Sequence, residues 1–142
     1  MAERYALGID FGTESGRALL VNVETGEEVA TYVHPYPHGV LDTALPDGTP
    51  LEHDWALQDP NDWIEILTVT VPQVMRAAGA APEQVIGIGV DFTSCTVLPV
   101  KQDGTPLCNL PQFKSRPHAW PKLWKHHAAQ PEADRITQAI RQ

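Results

Sequence analysis

The chain has 142 residues, 42% hydrophobic and 20% charged, an ordinary balance for one globular domain. Its formal net charge of −8 argues against a nucleic-acid surface, although backbone amides could still bind a small anion. Its two cysteines, Cys95 and Cys108, lack the spacing of a metal or disulfide pair, and no apolar run approaches a membrane span. We therefore expect a cytoplasmic protein with no membrane or nucleic-acid partner.

The first predicted elements are three short strands, which are residues 5–10, 17–23 and 28–34. Residues 24–27 form a glycine turn between the second and third strands. Short connections of this kind favour an antiparallel meander. Residues 34–55 contain four prolines and the turn signal Asp47-Gly48, so they are predicted to form a long loop.

A helix is predicted to begin at Pro60 and to stop at Gly79. Asp59 is placed to cap it, and proline is favoured at the first helical position. The apolar stripe expected to face the core comprises Ile64, Leu67, Val71, Val74, Met75 and Ala78. Interior Pro72 and the β-branched run 68–71 oppose the helix, and an interior proline costs roughly 3 kcal/mol.

The remaining chain is predicted to contain further strands and a second helix. The predicted strands are residues 85–91, 96–101 and 123–125, with a proline-rich loop at 106–121. A helix with one apolar face is predicted from residue 127 onward and has no stop signal before Gln142. This order predicts an α/β domain with a mixed sheet, and we expect that domain to be incomplete at its C-terminus.

The connection between the first two strands reads Gly-Ile-Asp-Phe-Gly-Thr-Glu-Ser-Gly-Arg over residues 8–17. Gly12 would let the backbone approach an anion closely. The amides of Gly12 and Thr13 and the hydroxyls of Thr13 and Ser15 could donate to phosphate oxygens. Asp10 could bind Mg²⁺ or its water shell. On spacing alone, however, an ordinary glycine hairpin is the favoured interpretation of this segment.

Other polar residues have competing interpretations. Asp91 ends a strand predicted to neighbour the first one, so it could face the same cleft as Asp10, or it could simply bond a turn amide. Lys125 could contact a substrate or phosphate, although an exposed lysine is usually just solvated. The six histidines show no metal-ligand spacing.

Several segments, in chain order, resemble the FGGY carbohydrate kinases. Asp-x-Gly-Thr-x-Ser at residues 10–15 is similar to the phosphate loop of the actin, Hsp70 and hexokinase superfamily. The segments that carry the FGGY resemblance are 8–18, the Gln-Asp-Pro start within 55–63, and Ile-Gly-Ile-Gly-Val-Asp-Phe-Thr-Ser-Cys-Thr at 86–96. His-Pro-Tyr-Pro-His-Gly-Val at 34–40 and Leu-Trp-Lys-His-His-Ala-Ala at 123–129 resemble the members that act on L-ribulose.

The resemblance implies a ribonuclease H-like domain of mixed α/β type, with residues 1–142 as part of an N-terminal kinase domain. It places the catalytic base, the adenosine contacts and a second, C-terminal domain beyond Gln142, so no catalytic residue is expected here. ATP and Mg²⁺ are the implied cofactors. The implied phosphate-binding residues are Asp10, Gly12, Thr13 and Ser15, with Asp10 also at the metal. The implied sugar-binding residues are Thr93, Ser94 and Cys95.

The activity implied is ATP-dependent phosphorylation of L-ribulose at its C5 hydroxyl, early in arabinose catabolism, with a homodimer allowed for the whole enzyme. The alternatives are another FGGY sugar or polyol kinase, such as one acting on xylulose, and a non-catalytic fragment of such an enzyme. An ATPase of the chaperone or actin type is a third. The 142-residue chain by itself is expected to lack kinase activity, because the base and the adenosine contacts are missing.

Overall fold

A computed structural model describes residues 3–141 of the chain. These residues form two compact units. The first, here called the sheet unit, holds the described residues up to Gly39 together with Pro60–Ser94. The second, here called the loop unit, holds Val40–Asp59 and the described residues from Cys95 onward. None of the described helices is long and apolar enough to cross a membrane.

The sheet unit is built on a four-stranded sheet with the order β3-β2-β1-β4. The strands are β1 (Tyr5–Phe11), β2 (Ser15–Asn22), β3 (Glu28–Pro35) and β4 (Val85–Phe92). β2 is antiparallel to both β1 and β3, which confirms the predicted meander. β4 is parallel to β1, so the sheet is mixed, as predicted. A parallel pair needs a long crossover connection, and the chain between β3 and β4 provides it.

Helix α1 (Pro60–Ala78) packs against β2 and β3 and starts and stops where the sequence predicts. It runs through Pro72 without interruption. At its C-terminus Gly79 has a φ of +62°, its amide donates to the Arg76 carbonyl, and the Ala80 amide donates to the Met75 carbonyl. This pair of bonds is a Schellman motif, which satisfies the last carbonyls of the helix and explains its sharp end.

The buried face of α1 agrees with the predicted stripe in part. Val74 is fully buried, and Val71, Met75 and Ala78 pack partly buried against the core, as predicted. Ile64 and Leu67 are 61% and 37% exposed, so their predicted burial is wrong, and Ile66 and Thr70 are fully buried although neither was predicted. The Thr70 hydroxyl donates to the Ile66 carbonyl at 2.7 Å, which satisfies its polar group inside the core. An apolar pattern alone does not indicate Thr70, because its buried side chain is polar.

A glycine sets the close approach of β2 to α1. A Cβ built on Gly16 would lie 2.6 Å from two side-chain carbons of Ile66, closer than packed atoms tolerate. The core beneath this contact is formed by alternate residues of β1 and β2 together with α1. Its buried members are Tyr5, Leu7, Ile9, Ala18, Leu20 and Val74.

The loop unit has a different construction. Isolated bridges, such as Leu41 with Leu57 and Val97 with Lys122, replace continuous ladders. Two short 3₁₀ turns, Leu107–Asn109 and Pro117–Ala119, precede helix α2 (Gln130–Ile140). The buried core residues are Leu41, Leu45, Leu57, Cys108, Ala119 and Trp120.

Three predictions for the loop unit need correction. Residues 96–101 and 123–125 are not strands: the first segment makes only isolated bridges, and Trp124 and Lys125 lie in a turn. Prolines within and beside these segments cannot donate to a ladder, which limits them to single bridges. Helix α2 begins at Gln130 rather than at residue 127. In a longer helix the ring of Pro131 would clash with the carbonyl of His127, four residues earlier.

Candidate functional site

Three charged side chains lie in one row across the sheet. Asp10 of β1 pairs with Arg17 of β2 on one side and with Asp91 of β4 on the other. All three line an open cavity of about 390 Å³, whose floor includes Gly8 and Gly89. The register therefore brings Asp10 and Asp91 to the same end of adjacent parallel strands, as the sequence predicts.

Asp91 shows both predicted features: it bonds a neighbouring amide, and it faces the same cavity as Asp10. Its Oδ1 accepts a hydrogen bond from the Phe92 amide at 2.9 Å, which is the local bond of a strand-end acid. It also faces the cavity beside Asp10. Sequence reasoning assigned no role to Arg17. It lies directly opposite Asp10 across the antiparallel β1–β2 hairpin, so the two side chains share one face of the sheet, and the short connection between the two strands is the signal that could have found it.

The connection between β1 and β2 is a tight hairpin turn. The Gly12 amide donates to the Ser15 carbonyl at 3.0 Å, and a Cβ on Gly12 would lie 2.7 Å from that oxygen. Glycine is therefore required by the turn itself. The prediction that the Gly12 amide is available to a phosphate needs correction, because this amide is already bonded. Thr13 and Ser15 lie half-buried in the same turn.

The predicted sugar-binding residues follow β4 directly. The Thr93 amide donates to the Phe11 carbonyl at 3.1 Å, which fixes the start of this segment beside the end of β1. Ser94 and Cys95 are exposed. Cys95 has a φ of +64°, in the left-handed region that non-glycine residues seldom adopt. Thr93 is thus brought next to the β1–β2 hairpin, whereas Cys95 belongs to the loop unit.

Sequence reasoning assigned no role to the segment that follows β3. The Tyr36 amide donates to the Glu14 carbonyl at 2.9 Å, which anchors the segment to the hairpin turn. The His38 amide donates to Asp62 Oδ2 at 3.1 Å, and His38 Nδ1 lies 2.7 Å from Asp62 Oδ1. Asp62 is buried in the first turn of α1. The segment therefore connects the hairpin to the start of the helix.

Tyr36 has an unusual environment within this segment. It is 6% exposed, and its hydroxyl is buried with no hydrogen-bond partner among the described residues. Burial, followed by the negative charges of Asp10 and Asp62, raises the pKa of this hydroxyl far above its ordinary value. The phenol therefore stays protonated and remains a hydrogen-bond donor at any physiological pH.

The loop unit carries its own polar cavity. Lys125, Asp42, Asp54 and Trp55 are among the residues lining an open space of about 420 Å³. The Lys125 ammonium also lies 5.4 Å from the Trp124 ring centroid, within range of a cation–π contact. Lys125 is therefore an exposed cation beside aromatic rings.

Comparison with known proteins places the chain among sugar kinases. Residues 5–141 match the N-terminal domain of the FGGY family of carbohydrate kinases. The chain is 57% identical over 139 residues to a protein named ribulokinase from Geobacillus thermodenitrificans, with 97% of this chain and 24% of that protein covered. It is 58% identical over 135 residues to a protein of the same name from Shouchella clausii, with 94% and 24% covered. The chain thus spans about a quarter of the length of these relatives.

The fold agrees with solved sugar-kinase structures. A gluconate kinase from Lactobacillus acidophilus superposes with a TM-score of 0.73 at 14% identity, covering 97% of this chain and 23% of that one. At this identity the likeness shows the fold alone. The predicted mixed-sheet domain of the actin and hexokinase type is confirmed.

Proposed function

The chain belongs to the FGGY family of carbohydrate kinases, and we propose that the whole protein phosphorylates L-ribulose with ATP as donor. The observation that carries this proposal is the 57–58% identity to two proteins named ribulokinase across nearly all of this chain. Because the chain spans about a quarter of their length, we propose that a second, C-terminal domain supplies the catalytic base and the adenosine contacts. We also propose a cytoplasmic location, which the two free cysteines support.

The β1–β2 hairpin is the proposed phosphate site. Gly12 is required by the tight turn, because a side chain there would strike the Ser15 carbonyl, and its lack of a side chain also leaves the backbone open to a close anion. The Thr13 amide and the hydroxyls of Thr13 and Ser15 are the proposed donors to phosphate oxygens. Arg17, on the cavity face of β2, adds the positive charge that the hairpin itself lacks. Phosphoryl transfer depends mainly on such positioning and charge neutralisation.

Asp10 is the proposed magnesium ligand. Its carboxylate lies at the end of β1 and faces the cavity, and magnesium prefers hard oxygen ligands held by one or two carboxylates and substrate phosphates. Asp91, its register partner, offers a second carboxylate on the same face, so the residues present fit the ion. When bound, magnesium would neutralise charge on the phosphate oxygens.

The proposed sugar contacts are Thr93, Ser94 and Cys95. The bond from the Thr93 amide to the Phe11 carbonyl supports the assignment of Thr93, because it holds this residue next to the hairpin. Exposed Ser94 would leave room for a ketose beside the backbone. Replacing Ser94 with tryptophan in the full-length enzyme should therefore raise the sugar KM, and an unchanged KM would remove this residue from the site.

A panel of ketopentoses and polyols, assayed with ATP and the purified full-length protein, tests the function. We expect the highest kcat/KM with L-ribulose. A higher value for D-xylulose, glycerol or gluconate would replace the proposed substrate within the same family. ATP hydrolysis that no sugar stimulates would favour an ATPase of the chaperone or actin type. The 142-residue chain assayed alone should show no turnover.

A further inference from the structure

The hydroxyl of Tyr36 is buried and has no hydrogen-bond partner among the described residues. A buried donor without a partner is destabilising, and nearly all such groups in folded proteins are bonded to protein or to ordered water. Tyr36 is 94% buried, since only 6% of it is exposed, and its hydroxyl is a protonated donor. Two carboxylates, Asp10 and Asp62, act on it electrostatically from opposite elements.

The two carboxylates differ in what they already bind. Both oxygens of Asp62 contact His38, one through the His38 amide and one through Nδ1. Asp10 instead faces the cavity from the end of β1. The Tyr36 amide donates to the Glu14 carbonyl, so the Tyr36 backbone is held beside the hairpin of the proposed phosphate site. The Asp10 carboxylate is therefore the acceptor best placed for this hydroxyl.

We propose that Tyr36 is a positioning residue: its hydroxyl donates to the Asp10 carboxylate through one buried water and holds that carboxylate in its metal-binding orientation. This inference rests on the proposed role of Asp10. A water here would accept from the Tyr36 hydroxyl and donate to the Asp10 carboxylate, which gives it two polar partners, within the usual range for a buried water. Partners that orient a metal-binding carboxylate typically change metal affinity by 10- to 100-fold when removed.

The first test is Tyr36→Phe in the full-length protein, with Tyr32→Phe as the matched control. Tyr32 lies on β3 and is 36% exposed, so removing its hydroxyl should not affect binding at the hairpin. Binding of magnesium-ATP, measured by calorimetry, should weaken about 10-fold in Tyr36→Phe and stay within about twofold in Tyr32→Phe. The KM for L-ribulose should be unchanged in both. A Tyr36→Phe protein that binds magnesium-ATP like the wild type would overturn the proposal.

A double-mutant cycle separates positioning of Asp10 from a general effect on the fold. In an Asp10→Asn background, Tyr36→Phe should change magnesium-ATP binding by less than about twofold, because the carboxylate that it orients is gone. An equal loss in both backgrounds would contradict a role through Asp10. Binding is read without sugar, so a wild type that binds magnesium-ATP but phosphorylates no ketose would refute the proposed function separately.

A crystal structure of the full-length wild type provides a second measurement that needs no variant. We expect an ordered water within hydrogen-bond distance of the Tyr36 hydroxyl and of one Asp10 carboxylate oxygen. A Tyr36 hydroxyl joined to neither a water nor Asp10 would overturn the proposal even if the variant failed to fold.

Discussion

The sheet unit and the loop unit are stabilised by different kinds of contact. In the sheet unit, continuous ladders join four strands, so register alone fixes which side chains meet at a strand end. The loop unit has only isolated bridges and short turns. Its backbone is therefore stabilised mainly by a buried apolar cluster. The proposed phosphate site sits on the first kind of scaffold. A rigid ladder suits a binding site, because the donors of such a site must be placed accurately. In the loop unit, by contrast, stability depends on individual buried side chains.

In the loop unit, the largest loss of stability is expected at Trp120, the largest side chain of the buried core. It is 3% exposed, and its indole N–H donates to the Lys114 carbonyl at 2.9 Å. Trp120→Ala should lower the free energy of unfolding by about 3–5 kcal/mol, because it removes this bond and leaves a large cavity. Denaturant titration of the full-length protein measures the loss.

Trp124→Ala is the matched control, since Trp124 is 51% exposed. It should change stability by less than about 1 kcal/mol. Hydrogen exchange should show the Trp120→Ala loss first in loop-unit amides such as that of Leu57, which donates to the Leu41 carbonyl. Faster exchange in β1 before the loop unit would contradict the distinction between the two units.

In the sheet unit the sensitive position is a contact between elements rather than a large side chain. Gly16→Ala would place a methyl group 2.6 Å from Ile66, and the resulting overpacking should cost about 1–3 kcal/mol. Gly89→Ala on β4 is the control, because a Cβ there meets nothing within 4 Å. Thermal unfolding of both variants should show a clear loss only for Gly16→Ala. Equal stability of the two would mean that β2 and α1 pack less closely than described.

The pH response of the loop unit should depend on His126. The Ala56 amide donates to its Nδ1 at 3.2 Å, which requires the unprotonated nitrogen. Burial, followed by the positive charges of Lys122, His118 and His127, lowers the pKa of His126 below its ordinary 6.5. His126 in the unfolded chain therefore binds a proton near pH 6.5, whereas His126 in the folded protein binds it only at a lower pH. The contribution of His126 to the free energy of unfolding should therefore be fully present above pH 6.5. It should decrease as the pH falls from 6.5 toward the folded-state pKa.

His126→Asn should flatten this dependence between pH 7 and pH 5. His53→Asn should leave it unchanged, since the His53 side chain is 93% exposed. Denaturant midpoints at several pH values measure both variants, and the effect should be the smallest of those described. A dependence that stays equally steep in His126→Asn would assign it to another group.

The sequence predicted the sheet unit far better than the loop unit, for a physical reason. Short apolar runs, the alternation at residues 28–34, the Pro60 start and the Gly79 stop are local signals, and they located the four strands and the helix described in the sheet unit to within two residues. In the loop unit, segments 96–101 and 123–125 are apolar enough for strands but have no continuous ladder partner. That partner is decided by tertiary contacts, which a single segment does not reveal.

The candidate site was predicted in part: features set by local sequence signals were found, and those set by tertiary contacts were not. Asp10 and Asp91 were expected at neighbouring strand ends and pair in register there. The bonded state of the Gly12 amide could not be predicted, because it depends on the shape of the turn. Tyr36 was also missed, since its role depends on two elements that are distant in sequence.

The proposed role of the β1–β2 hairpin, with Asp10 at its start, is to bind the phosphates and magnesium of ATP. Asp10→Asn tests it most directly in the full-length enzyme, with Glu14→Gln as the control, because Glu14 is an exposed acid in the same turn. We expect Asp10→Asn to lower kcat by about 100- to 1,000-fold with an unchanged KM for the sugar, and Glu14→Gln to stay near wild type. An Asp10→Asn enzyme with wild-type kcat and magnesium dependence would contradict the account.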